Sequence, residues 1–168
     1  MEHVLDLIYS RQRVREFTDA AVSDDQVEAM LRAAMAAPSV KDRRPWHFVV
    51  LRKRETLDKL ARLHNYAYML AQAQLAVVVC GDQKVSGKYW VEDSCVATQN
   101  LLLAAKALGL SGVWISIYPK KKHQDAVREL LDIPNRMGIL CILAIGTPAK
   151  REQISIEFDP KKVHQEEW

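Results

Sequence analysis

Three arginines stand at alternate positions in Ser10-Arg11-Gln12-Arg13-Val14-Arg15-Glu16-Phe17. In an extended segment alternate side chains leave on the same side. Guanidinia so placed make a fork-shaped site for a phosphate, because each offers a planar donor pair that matches phosphate oxygens. The plainer alternative is a solvated basic turn that closes the first helix and is favoured by its C-terminal dipole. Other chemistries are missing from the sequence. No GxGxxG follows a strand, and there is no GxxxxGK[ST] and no GxSxG. His3, His47, His64, His123 and His164 show no metal-ligand spacing with each other or with Cys80, Cys95 and Cys141. Glu92-Asp93 and Glu166-Glu167 are adjacent and diverge on a helix, so neither is a carboxylate dyad. A chain without its own nucleophile, metal or dyad borrows its chemistry from a cofactor.

The elements that must position these arginines are regular. Val4, Leu5, Leu7 and Ile8 predict a short amphipathic helix. Ser23 and Gln26 have capping-box spacing, so a second helix starts near Asp24 and stops before Pro38. Trp46 to Leu51 reads as a strand, Thr56 to His64 and Tyr66 to Gln72 as short helices, and Leu75 to Cys80 as a strand buried on both faces. Tyr89 to Leu108 is the strongest helical pattern. Val91, Cys95, Thr98, Leu102 and Ala105 form its stripe, and Gly109 is its stop. Val113 to Ile117 is a strand, His123 to Leu131 a helix, and Ile139 to Ile145 a buried strand. Lys120, Lys121 and Lys122 read as a solvated helix start, or as a hold for an NADPH phosphate.

The 168 residues, 49% apolar and 27% charged, suit one soluble domain over residues 1–168. The net charge of +3 does not argue for nucleic acid or an anionic membrane. No apolar run reaches the ~20 residues of a membrane span. The start, Met1-Glu2-His3-Val4-Leu5-Asp6, lacks the basic lead and apolar run of a signal peptide. With three separated cysteines read as buried free thiols, the expectation is a cytoplasmic protein.

The arginine segment resembles the R-x-S-x-R-x-[FY] opening of the nitroreductase family. Ala37-Pro38-Ser39 with Pro45-Trp46-His47-Phe48-Val49-Val50 resembles the family's A-P-S and P-W-x-F-V-V signature. Val91 through Ala105, Leu108-Gly109-Leu110 and Trp114-Ile115 resemble its central helix and following strand. Ala144-Ile145-Gly146-Thr147-Pro148 resembles its late turn, and Val163-His164 to Trp168 the tail of a short subgroup. The resemblance implies an α+β three-layer fold with a small mixed or antiparallel sheet between helices. It also implies an intertwined homodimer, with FMN bound by residues of both subunits. Arg11, Gln12, Arg13 and Arg15 fall where the family holds the phosphate and ribityl chain, with Lys150 and Arg151 closing on the phosphate. Pro38, Ser39 and Asp42 fall where the chain approaches the flavin. Trp114, Ile115 and Ser116 lie on the bordering strand, and the Ser116 N–H is the candidate donor to flavin N5. Four positions depart from the pattern: Arg13 replaces a serine, Asp42 and Arg44 replace Asn and Gln, and Met69 stands where some members carry lysine.

What the resemblance implies of function is NADH or NADPH as hydride donor and a small electrophilic acceptor, a nitroaromatic or quinone. Reductive dehalogenation, flavin destruction and low-turnover flavin binding or sensing are the rival readings. The tail, about 149–168, is free to reach the partner subunit.

Overall fold

The computed structural model of the protein describes residues 2–150 and 157–168. Four strands carry the fold: β1 (Trp46–Leu51), β2 (Leu75–Asp82), β3 (Ser111–Ser116) and β4 (Met137–Gly146). They form one antiparallel sheet in the order β1-β2-β4-β3. Every residue of β2 and β4 is buried, as continuous apolar runs require when both faces are covered. Strand periodicity splits them between two cores. Leu75, Val77 and Val79 face one side, and Ala76, Val78 and Cys80 the other.

The first side is roofed by α2 (Asp24–Met35) and α5 (Trp90–Ala107). The second is covered by α3 (Arg54–Ala61), the 3-10 turn Tyr68–Ala71 and α6 (Lys121–Leu131). Two further helices, α1 (Glu2–Ser10) and the short α4 (Gln83–Ser86), complete the order. The fold is therefore the expected α+β three-layer arrangement, with a wholly antiparallel sheet. The capping box is present in full: the Ser23 hydroxyl accepts from the Gln26 N–H, and the Ser23 N–H donates to the Gln26 side chain.

Three details differ from expectation. The segment predicted as a helix over Tyr66 to Gln72 is a 3-10 turn, and α3 already ends at Ala61. The buried stripe of α5 is Trp90, Asp93, Ser94, Ala97, Thr98, Leu101, Leu102 and Ala105, while Val91 and Cys95 are half-buried. Glycines on the sheet make room for the helix start. A Cβ on Gly138 would stand 2.5 Å from the Trp90 ring, and one on Gly81 would stand 2.8 Å from that ring and from the Ser94 hydroxyl. Leu102, in the expected stripe, packs inward against Gly112.

A bulge in β4 shapes the end of β3. Val79 pairs with Cys141 and Cys80 with Ile139, so Leu140 is the extra residue. Its carbonyl accepts from both Ile117 and Tyr118, at 3.1 and 3.0 Å. The chain leaving β3 is thereby held against the sheet, where it walls a cavity.

Cys80 and Cys141 are buried, and burial pushes the Cys80 thiol up to about 12 and Cys141 well above its ordinary value. Reactivity follows the thiolate. A disulfide reagent at pH 8 should therefore titrate at most one thiol in native protein, the half-buried Cys95, and all three after denaturation. Rapid native reaction of Cys80 or Cys141 would contradict this packing.

Candidate active site

The arginine segment is fixed along the free edge of β3. Arg13 makes a parallel bridge to Gly112 and Phe17 an antiparallel bridge to Pro148. Thr18 donates to the Thr147 carbonyl at 2.9 Å, and Ala149 to the Glu16 carbonyl at 3.0 Å. Val14 and Phe17 both reach the core. Their spacing of three breaks strict alternation after Arg15, so the segment is not a regular strand over its whole length.

Arg13 and Arg15 line a cleft of about 330 Å³ with Gln12, Tyr68 and Lys150, while Arg11, half-buried, is not among its lining residues. Lys150 stands 3.9 Å from the Glu16 carboxylate in an exposed pair. Arg151 lies outside the described residues.

Arg15 also lines a second, larger cavity of about 530 Å³. Trp114, Ile115 and Ser116 of β3 form one wall. β3 is an edge strand, so alternate backbone N–H groups face away from β4. Arg13 docks at Gly112, and the stretch beyond it borders the cavity. Met69 supplies apolar floor from the 3-10 turn, and Tyr118 and Lys120 close the far end. Trp114 lines this cavity, whereas Trp46 is buried in the core beneath α2 and α5.

Two residues of this cavity gave no sequence signal. His64 and His123 stack with ring centroids 4.6 Å apart and planes 9° from parallel. They come from separate elements, so no local spacing announces them. His64 Nδ1 accepts from the Tyr66 N–H at 3.1 Å. Burial, the neighbouring His123 and then Lys120 hold His64 below the ordinary histidine value.

Pro38, Ser39 and Asp42 lie elsewhere, in the connection between α2 and β1, and line neither of these two cavities. That connection is tightly determined. Lys41, Asp42 and Arg44 all adopt left-handed backbone, with φ of 55, 51 and 48°. Non-glycine residues hold such angles only where neighbours impose them. The Ser39 hydroxyl accepts from the Arg44 N–H at 2.9 Å, and Arg44 clamps Asp42 at 2.7 Å. The hydrogen bond from Arg44, beyond its charge, keeps the Asp42 carboxyl below its ordinary range. Asp93 is the anchor that sequence reasoning missed. Only 3% exposed, it accepts the Val40 N–H at 2.8 Å and the Ser86 hydroxyl. Within one chain, then, the arginine cleft and β3 wall come together, and the Pro38–Asp42 connection stands apart.

The profile of the Nitroreductase family matches residues 8–84 and 62–147 of this chain. The chain belongs to the nitroreductase family. A relative from Archaeoglobus fulgidus, named "Putative NADH dehydrogenase/NAD(P)H nitroreductase", is 40% identical with both chains covered in full. A crystal structure of the same name from Bacteroides thetaiotaomicron is 41% identical, with a TM-score of 0.95 over 99% of this chain and 98% of that one. The FMN-dependent nitroreductase of Clostridium difficile is 28% identical, with a TM-score of 0.92 over 98% and 99%. Among the described residues no helix is long and apolar enough to cross a membrane, and no cluster of three or more His, Cys, Asp or Glu could hold a metal ion.

Proposed function

We propose that this nitroreductase-family chain is an FMN-dependent oxidoreductase that takes hydride from NADH or NADPH and delivers it to a small electrophilic acceptor, a nitroaromatic or quinone. One observation carries the reading. A basic cleft and a larger cavity with aromatic and apolar walls meet at Arg15. That is the division a flavin mononucleotide demands, with a phosphate at one end and a flat ring at the other. When bound, FMN supplies the two-electron chemistry that the side chains lack.

The protein's own work is positioning. Gln12, Arg13, Arg15 and Lys150 hold the phosphate end, with Arg11 and Arg151 placed there by family resemblance. Trp114, Ile115 and Ser116 border the ring, and the Ser116 N–H is the assigned donor to N5. A backbone dipole costs no reorganisation during reaction. No general base is required. Residues 1–168 act as one unit; the expectation that the tail, about 149–168, reaches the partner subunit falls in part outside the described residues.

Pro38, Ser39 and Asp42 join the site from that partner in a homodimer. The surface supports this: Val4, Leu5, Ile8 and Tyr9 of α1 and Val96 of α5 are exposed apolar residues on helices that touch each other. Val96→Glu should therefore split the dimer and weaken FMN binding together, because a composite site exists only in the assembly. Val96 is 40% exposed in the single chain, so its fold should survive the change. Light scattering on dilution reads the mass. A monomer that keeps full FMN affinity would refute the composite site.

Steady-state oxidation of NADH and NADPH, with a nitroarene and with a quinone as acceptor, tests the activity. Turnover with either acceptor supports the reading. Bound FMN that is reduced by neither nucleotide would contradict it.

A further inference from the structure

The larger cavity has a charge pattern that the phosphate end does not explain. Among the described residues its ionisable bases are Arg15, His64, Lys120 and His123, and no carboxylate lines it. Of these only Arg15 also lines the phosphate cleft. Lys120, His64 and His123 form a basic wall of their own, the two rings stacked and Lys120 near enough to act on His64. The nearest acid on the same helix is engaged elsewhere, since Asp125 pairs with Lys121 at 2.6 Å and with Arg128 at 3.4 Å. Among the described residues no ion pair to Lys120 is formed. Burial first, and then the like charge of His123 and Lys120, holds down the basicity of His64. A bound anion would relieve that repulsion.

We infer that the wall of Lys120, His64 and His123, together with Arg15, binds a compact anionic group such as a carboxylate on the hydride acceptor, so that anionic aromatics are the preferred acceptors. This rests on the FMN reading above. The same chemistry could also greet a phosphate of the nicotinamide nucleotide. Distance favours the acceptor. The nucleotide's phosphates lie several bonds beyond its reacting ring, whereas a ring carboxylate lies one ring-width from a nitro group. The wall shares its cavity with Trp114, Ile115 and Ser116, where the reacting rings are assigned.

The probes are 4-nitrobenzoate and its neutral isostere 4-nitrobenzamide, titrated by calorimetry into FMN-loaded protein and into the Lys120→Gln variant. Lys120 caps α6 through its backbone, its carbonyl accepting from the His123 N–H at 3.0 Å and the Gln124 N–H at 3.1 Å, so the substitution leaves the fold intact. Native protein should bind the benzoate more tightly. Lys120→Gln should reduce that preference about fivefold, the scale of one partly solvated charge pair, and leave the amide within twofold. Equal affinities of the two probes for native protein would overturn the inference whatever turnover shows. So would a Lys120→Gln effect confined to NADPH relative to NADH, which would assign the wall to the nucleotide. If the benzoate preference is present but neither probe is reduced by NADH or NADPH, the anion site stands, and its assignment to the hydride acceptor is overturned together with the redox reading.

Discussion

With Arg13 and Arg15 both replaced by alanine, FMN affinity should fall by about 3 kcal/mol, more than a hundredfold, on the scale of two charge-assisted hydrogen bonds to a phosphate. The fold should persist. Arg13 docks on Gly112 through its main chain, and Val14 and Phe17, not the arginines, pin the segment to the core. Arg15→Ala alone should cost more than Arg13→Ala, because Arg15 borders both the phosphate cleft and the ring cavity. Fluorescence titration of FMN alongside thermal melts separates the two roles. A lowered melting temperature with unchanged affinity would show that the arginines are only a cap on α1.

The second large effect should come from Asp93→Ala. Its carboxylate is buried and accepts from Val40 and Ser86, so truncation strands two polar groups away from water. Each such group costs about 1–3 kcal/mol, and the expected loss of stability is about 3 kcal/mol. The loss has a functional consequence. The Val40 contact ties to α5 the connection in which Lys41, Asp42 and Arg44 keep left-handed backbone. Released, it should relax, taking Pro38 and Ser39 out of place and weakening FMN binding beyond what stability alone explains. Asp93→Asn should recover most of both, since the amide oxygen still accepts from Val40 and the Ser86 hydroxyl can turn to accept from the amide. Denaturant unfolding and FMN titration of the two variants check this. An asparagine variant as damaged as the alanine one would show that the charge itself is required.

How much of this was legible in the sequence depended on whether the signal was local. The apolar runs of β2 and β4 announced strands buried on both faces, and Ser23 with Gln26 announced the start of α2, because each rests on neighbours within one element. The arginine segment was legible as a basic cluster, but its geometry was not. Alternation promised one face, whereas Arg13 and Arg15 line the cleft and Arg11 is not among its lining residues. The buried face of α5 was legible in part: Thr98, Leu102 and Ala105 are buried as expected, whereas Trp90 and Ser94 are buried against Gly81, a contact only tertiary structure makes. Asp93 looked like half of an idle acid pair, since its partners Val40 and Ser86 meet it only through tertiary structure. His64 and His123 were invisible for the same reason: the cavity unites the end of α3's connection with α6, and no spacing records that.

The central claim is that the cleft of Arg13 and Arg15 and the cavity beside β3 together hold one FMN. The most direct measurement is the identity of the flavin. Purified protein, or protein reconstituted with excess flavin and desalted, is heated, and the released cofactor is separated by chromatography. The account predicts a yellow protein releasing FMN in about equimolar amount, because the basic cleft suits a terminal phosphate and no adenine-binding fingerprint is present. Release of FAD, or no retained flavin after reconstitution, would contradict it.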